Sequence, residues 1–221
     1  IDPVEKKPLY HFLPGTMTYS FAAVGCNLAC KWCQNFDLSQ DPKPDRPVTG
    51  REISPEEHIR LAGKYRCPSI SYTYSEPTVW LEYALETMKL ARKAGLKNIW
   101  VTNGEMSDKA LGLILPYLDA ANVDLKSLDQ PAFAAFCQGN VDIALENMVT
   151  MKENGVHLEV TTLIVPGMND KEEELHAMAS FIADKLGEDT PWHISRFFPA
   201  WKMSDARPTP IETLKKARDI A

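Results

Sequence analysis

Three of the five cysteines in this chain sit in one short run, Cys26-Asn27-Leu28-Ala29-Cys30-Lys31-Trp32-Cys33, spaced C-x3-C-x2-C. They follow the apolar stretch Tyr19-Ser20-Phe21-Ala22-Ala23-Val24. Soft thiolate ligands match iron, and a loop this short can wrap a cubane cluster. A four-iron cluster has four corners, so three cysteines leave one iron open, a vacant position of the kind that catalytic metal sites keep. A zinc knuckle would need a fourth Cys or His close by. The loop offers none, and His58 and Cys67 lie well downstream. A disulfide framework suits small secreted domains, not a chain of 221 residues with an odd cysteine count.

The elements that must hold this loop can be read from pattern and punctuation. A strand over 18–24 feeds the cysteines. Ser54-Pro55-Glu56-Glu57 sets a serine N-cap, a proline at the first helical position and an acid three residues after the cap, so a helix is expected to about Tyr65. β-branched and apolar runs predict strands over 69–74, 98–102, 120–125, 156–165 and 192–198. Helices are expected between them over 78–94, 107–117, 131–137, 141–153 and 170–185, with Gly95 and Asn154-Gly155 as C-terminal stops. A last helix opens at Thr209-Pro210-Ile211-Glu212 with the same cap grammar as Ser54. The polar stretch 37–51 holds too much proline for a helix or a central strand.

Strands alternating with helices imply a parallel sheet, hence an α/β fold, and six such units make an open, partial (β/α)6 barrel. Residues 1–17, punctuated by Pro3, Pro8, Pro14 and Gly15, form a lead-in expected to pack Tyr10 and Phe12 on the barrel floor or rim; residues 18–221 form the barrel domain. The chain starts without methionine and stops inside a helical pattern, which reads as a core fragment of a longer protein. Hydrophobic residues at 44% and charged residues at 24% are ordinary for a globular domain. No apolar run reaches the length of a membrane span, and no signal peptide opens the chain. A net charge of −6 argues against a sequence-independent nucleic-acid binder. Thiolates reserved for a cluster call for a reducing compartment, so the cytoplasm is the expected location.

Active sites of α/β barrels gather at the C-terminal ends of the strands. There this chain carries, in turn, the cysteines, Ser75-Glu76-Pro77-Thr78, Thr102-Asn103-Gly104, Asp124-Leu125-Lys126, Leu163 to Asp170, and His193 with Arg196. Plainer readings exist for each. Glu76 can serve only to open a helix, where an acid is favourable. Asp124 and Lys126 can simply pair, Leu163 and Val165 can be core, and His193 can be structural. Arg196 suits a carboxylate or phosphate. Cys67 and Cys137 read as small buried hydrophobes, and His11, His58, His157 and His176 show no spacing that suggests a metal.

The cysteine spacing, with aromatic Trp32 just before the last cysteine, resembles the radical S-adenosylmethionine (SAM) superfamily. That resemblance implies that Cys26, Cys30 and Cys33 hold a [4Fe-4S] cluster whose open iron binds SAM. Reductive cleavage of SAM would then give a 5′-deoxyadenosyl radical that abstracts hydrogen from a substrate. Ser75 and Glu76 stand where the superfamily holds the SAM ammonium. Thr102-Asn103-Gly104 and Asp124-Leu125-Lys126 are similar to segments of the glycyl-radical-enzyme activases. By that likeness Lys126 meets the SAM carboxylate, Thr102 and Asp124 line a monovalent cation site, Leu163 and Val165 flank adenine, and His193 approaches SAM. Val101 departs from the activases, which carry Asp there, so the cation site is expected to be weak or absent.

The lead-in Lys6 to Gly15, the stretch Tyr74 to Thr78 and the run Trp192 to Met203 look like the AmmeMemoRadiSam system radical SAM enzyme family, whose members are often labelled pyruvate formate-lyase activating enzymes by similarity. Three functions are compatible with these residues. One is a SAM-cleaving enzyme with a small-molecule or protein substrate, fed by a flavodoxin- or ferredoxin-type electron donor. Another is an activase proper, acting on a glycine-bearing loop of a partner protein. The third is a non-catalytic iron–sulfur electron carrier or scaffold, with a fully ligated cluster that ignores SAM.

Overall fold

The sheet is laid down in chain order. The computed structural model describes residues 1–41, 45, 47–48 and 50–221. β1 (Asp2–Pro3) runs antiparallel to β2 (Met17–Phe21). From β2 onward all neighbours are parallel: β3 (Ser69–Tyr72), β4 (Lys97–Thr102), β5 (Ala120–Asp124), β6 (His157–Ile164) and β7 (Trp192–Arg196). The helices are α1 (Phe36–Ser39), α2 (Pro55–Lys64), α3 (Leu81–Lys93), α4 (Asp108–Ile114), α5 (Gln130–Cys137), α6 (Val141–Glu153), α7 (Glu172–Phe181) and α8 (Ile211–Ile220). This is the expected partial (β/α)6 barrel, with one short antiparallel strand added at its edge.

Side chains alternate across a strand, so each strand divides its residues between two faces. Ile70, Tyr72, Trp100, Val123 and Val160 pack with Met88, Leu111, Met148 and Met178 of the helices in one large core. The alternate residues, among them Ser71, Ile99, Asn122, Glu159 and Thr161, look the other way, into the concave side. They too are buried, as parallel sheets require. Part of their cover is the lead-in. Val4 and Leu9 form a small core with Ile99 and Ala120, and Asn122 Nδ2 donates to Pro8 O at 3.0 Å. Phe12 packs on His157, whereas Tyr10 is largely exposed and leans on His193.

Asp2 anchors the start of the lead-in. It accepts hydrogen bonds from Lys7 Nζ at 2.8 Å, Lys6 Nζ at 3.0 Å and the Tyr74 hydroxyl. Burial alone would raise its pKa, but the bonds from Lys7, Tyr74 and Lys6 outweigh burial and hold the carboxyl well below its usual 3.8. An acid depressed in the folded state contributes stability that is present above its unfolded pKa and lost as pH falls toward the folded one. Thermal melts of wild type and Asp2→Asn should therefore differ most at neutral pH, and the gap should narrow as pH falls below about 3.9. A gap that does not change with pH would show that the charge of the Asp2 carboxylate contributes nothing.

Several expected boundaries shift, each for a local reason. β3 stops at Tyr72 because Tyr74 takes φ +69° and turns the chain toward the cavity. β2 stops at Phe21, and the chain beyond it bends so that Gly25 N donates to Leu38 O at 3.0 Å. The expected loop over 37–51 contains the end of α1, while residues 42–44, 46 and 49 lie outside the described residues. Ser54 caps α2 as expected, its hydroxyl accepting from Glu57 N. Thr209 does not cap α8. It is buried between strand ends, donating to Ile164 O at 2.6 Å and accepting from Phe197 N at 3.1 Å, so β7 ends at Arg196 and Pro210 takes the cap position. Asp170 likewise accepts from Gly167 N instead of capping α7. Among the described residues no helix is long and apolar enough to cross a membrane.

Candidate active site

A cavity of about 730 Å³ opens where the strands end. Its wall includes Cys26, Cys30 and Cys33 with Trp32, then Ser75, Glu76, Thr102 and Asn103, then Asp124, Lys126 and Leu163. The cysteine loop is held from below by backbone bonds: Ala29 N donates to Cys137 O at 2.8 Å and Lys31 N to Phe136 O at 3.0 Å, both carbonyls at the end of α5. Leu28, Cys30 and Trp32 bury themselves against Phe133, Cys137, Val165 and Phe197. Gly25 opens the loop at φ +111°, where a side chain would be strained.

The thiols sit in different surroundings. Cys26 Sγ accepts from Leu28 N at 3.4 Å and Asn103 Nδ2 at 3.7 Å. Cys33 Sγ lies 3.2 Å from Ser39 Oγ. Cys30 packs in the same apolar layer as Cys137, and that neighbouring thiol together with burial pushes the Cys30 thiol well up. Burial pushes Cys26 up to about 12. The Cys26 and Cys30 thiols therefore hold their protons in the metal-free protein, and any metal bound there would displace them. Cys137, suggested by the sequence as a small buried hydrophobe, is indeed fully buried, and it places a fourth thiol in the layer behind Cys30.

Glu76 ties the loops together. Only 2% exposed, its carboxylate accepts from Thr78 N at 3.1 Å, Thr78 Oγ1 at 2.7 Å, Thr102 Oγ1 at 2.8 Å and Asn103 N at 2.9 Å. It does open the short helical turn Pro77–Trp80. Yet among the described residues no lysine or arginine pairs with it, and burial pushes its pKa up. A buried carboxylate without a counter-ion lowers its energy by meeting a cation. Asn103 Nδ2 also donates to Asn27 Oδ1 at 2.8 Å, joining the end of β4 to the cysteine loop.

Across the cavity, Lys126 Nζ lies 2.7 Å from Asp124 Oδ2. Burial would lower the Lys126 pKa, but the Asp124 carboxylate outweighs it, so the ammonium stays charged. The loop carrying it is pinned by fully buried Asn169, whose Nδ2 donates to Lys126 O at 2.7 Å and Leu163 O at 2.9 Å. Asn169 carries no motif, and only its place after the turn Pro166-Gly167 hints at such a role.

Two expected residues do not join. β6 ends at Ile164, so strand alternation does not carry past Leu163. Leu163 faces the cavity, while Val165 is buried beneath the cysteine loop with its N–H on Asn169 Oδ1. His193 turns away because a buried carboxylate captures it: its Nε2 lies 2.6 Å from Glu159 Oε2. Ser195, next on the same face of β7, reaches the cavity in its place, and Arg196 lines the wall beside it.

These features fit the group that the loop suggests. Three thiols face one cavity of ordinary small-molecule size, about 300–1,000 Å³, with an apolar layer behind them. Among the described residues only His11, Glu159 and His193 form a trio of His, Cys, Asp or Glu ligand atoms within 4.8 Å of one another. The three thiols are therefore not all within 4.8 Å of one another. The family model of the radical SAM superfamily matches residues 22–179. The chain belongs to the radical SAM superfamily.

Relatives within this superfamily are recognisable at several distances. The chain is 44% identical over 221 residues to an uncharacterized protein of Methanocaldococcus jannaschii, covering 100% of this chain and 65% of that protein. It therefore spans just under two thirds of that relative's length. It is 23% identical over 176 residues to the pyruvate formate-lyase-activating enzyme of Clostridium pasteurianum, 76% of this chain and 70% of that enzyme. Streptococcus suis SuiB, solved bound to S-adenosylmethionine, superposes with a TM-score of 0.69 at 12% identity over 92% of this chain and 47% of that one. The last likeness shows a shared fold.

Proposed function

We propose that this radical SAM domain is the core of an enzyme that cleaves SAM reductively to act on a substrate not yet assigned. The observation that carries the reading is the meeting, in one cavity, of three loop thiols with a buried carboxylate that no lysine or arginine pairs among the described residues, Glu76, and a partly buried ammonium, Lys126. SAM presents an amino and a carboxylate group, and these two side chains match them in charge. Cys26, Cys30 and Cys33 would hold the [4Fe-4S] cluster, with Asn103 and Leu28 N–H groups directed at Cys26 sulfur to tune it. When bound, the reduced cluster and SAM together supply a 5′-deoxyadenosyl radical for hydrogen abstraction. The protein's own work is binding, orientation and exclusion of water.

Ser75 and Glu76 take the ammonium, Lys126 takes the carboxylate, and Leu163 covers the adenine. Leu28 and Trp32 shield the cysteines from solvent. Arg196 is a candidate for binding a substrate carboxylate or phosphate. Its Nε is spent on Thr209 O at 2.8 Å and its plane lies over Phe198, which leaves the outer nitrogens for a ligand. The substrate is a small molecule or a protein, and the electron donor is of flavodoxin or ferredoxin type. Likeness to an activating enzyme supports a second reading, an activase that acts on a glycyl-radical partner. The cytoplasm remains the proposed location.

The groups expected to line a monovalent cation site are already engaged. Thr102 Oγ1 already bonds Glu76, Asp124 already pairs with Lys126, and apolar Val101 lines the cavity beside them. Replacing K⁺ by Na⁺ or by a bulky organic cation should change SAM cleavage by less than about twofold, which is under roughly 0.5 kcal/mol. A larger loss in a cation series would restore the cation site.

The test of the whole reading is anaerobic reconstitution with iron and sulfide, reduction with dithionite, and chromatographic assay of 5′-deoxyadenosine from added SAM. A product that depends on the cysteines is expected. A loaded cluster that yields no product, and whose spectrum ignores SAM, would overturn the reading in favour of a scaffold or electron carrier.

A further inference from the structure

Away from the cysteine cavity, three segments bring nitrogen and oxygen donors together: His11 from the lead-in, Glu159 from β6 and His193 from β7. None of the three lines that cavity. Their ligand atoms all lie within 4.8 Å of one another, with His193 Nε2 at 2.6 Å and His11 Nδ1 at 3.4 Å from Glu159 Oε2. Zinc-type ions bind imidazole nitrogen and carboxylate oxygen at about 2.0–2.2 Å, which sets two ligands of one ion roughly 3–4 Å apart. Small rotations of these side chains reach that spacing.

The surroundings are those of a built site. The Glu159 side chain is fully buried, and among the described residues no lysine or arginine pairs with it. Its carboxylate is aimed by hydrogen bonds that leave the trio intact: Tyr10 N at 3.0 Å, His11 N at 2.8 Å and His157 Nε2 at 3.0 Å. Outer contacts of this kind fix the orientation of a metal-binding carboxylate. The His193 ring is held against Tyr10. The His11 ring is exposed, and a cavity of about 500 Å³ lined by His11 and His157 opens beside it, with room for water or a further ligand. Sequence spacing cannot disclose this trio, because its members are far apart in the chain and meet only through sheet register and the fold of the lead-in.

We propose that His11, Glu159 and His193 form a divalent first-row metal site, two imidazoles and one carboxylate, that fastens the lead-in to the barrel. It is independent of the cysteine cavity and stands whether or not the chain cleaves SAM.

Zinc is the probe. Cluster-loaded protein is dialysed anaerobically against Zn²⁺, and zinc and iron are counted together, so that zinc displacing iron at the cysteines is seen. One zinc per chain is expected, with only nitrogen and oxygen neighbours in its X-ray absorption spectrum. Zinc should raise the melting temperature by mass action. His11→Ala, at an exposed side chain, should fold normally, weaken zinc binding by about tenfold or more and remove the zinc-dependent shift. His193→Gln should do the same. Three results would overturn the site: no zinc at roughly 100 µM free metal, zinc with sulfur neighbours, or zinc binding that both variants leave unchanged. A trio that serves only as a hydrogen-bonded latch gives the first of these.

Discussion

Cys30→Ala is expected to lose the iron–sulfur cluster and, with it, 5′-deoxyadenosine formation. Changes to groups that merely support a metal ligand lower affinity or activity by about 10–100-fold, so loss of a ligand should exceed about a hundredfold. Cys30 is the central cysteine of the loop, and the residue is buried, with 9% of its surface exposed. Its contact with Cys137 adds a complication that the spacing C-x3-C-x2-C does not reveal. A thiol directly behind the deleted one can move in as a substitute ligand, so the single variant is to be paired with Cys30→Ala/Cys137→Ala. Iron and sulfide counts, the visible spectrum and the product assay are read on both. Partial retention in the single variant that vanishes in the double variant would assign the rescue to Cys137. Cleavage that survives in both would sink the assignment of Cys26, Cys30 and Cys33 as the ligands.

Glu76→Gln should weaken SAM binding by about 10–100-fold, equivalent to roughly 1.4–2.8 kcal/mol, and should also lower stability. The carboxylate accepts four hydrogen bonds from Thr78, Thr102 and Asn103. An amide puts an NH2 group where an acceptor stood, and a buried donor left facing donors costs about 1–3 kcal/mol. The substitution also removes the negative charge proposed to meet the SAM ammonium. Calorimetric titration with SAM and thermal melts without it separate the two effects. A lowered melting temperature with unchanged SAM affinity would reduce Glu76 to a structural tie between β3 and β4.

The pH dependence of that tie has a definite sign. An acid whose pKa is raised by burial binds its proton more tightly in the folded state, so folding stability falls as pH rises from the unfolded value of about 4.3 through the folded one. SAM, by supplying a cation, should flatten this slope. The measurement is melting temperature against pH with and without SAM, and equal slopes would count against the ammonium contact.

What the sequence determined by itself is local. The cysteine spacing, the Ser54 cap and the helix over 141–153 each depend on residues within a few positions of one another, and such patterns survive any tertiary arrangement. The order of strands is nearly as legible, because short βα units place consecutive strands side by side. Only the tertiary structure decided what happens between segments. Thr209 has the grammar of a cap but is drawn between two strand ends. His193 sits on a strand whose end lines the cavity, yet Glu159, one strand away, claims its ring. Val165 shares the parity of Leu163, but the strand has already ended, so parity no longer aims it. Cys137 looks like filler until α5 sets it against Cys30. In each case the competing partner is remote in sequence, and burial lets the stronger hydrogen bond or the better packing override the local preference.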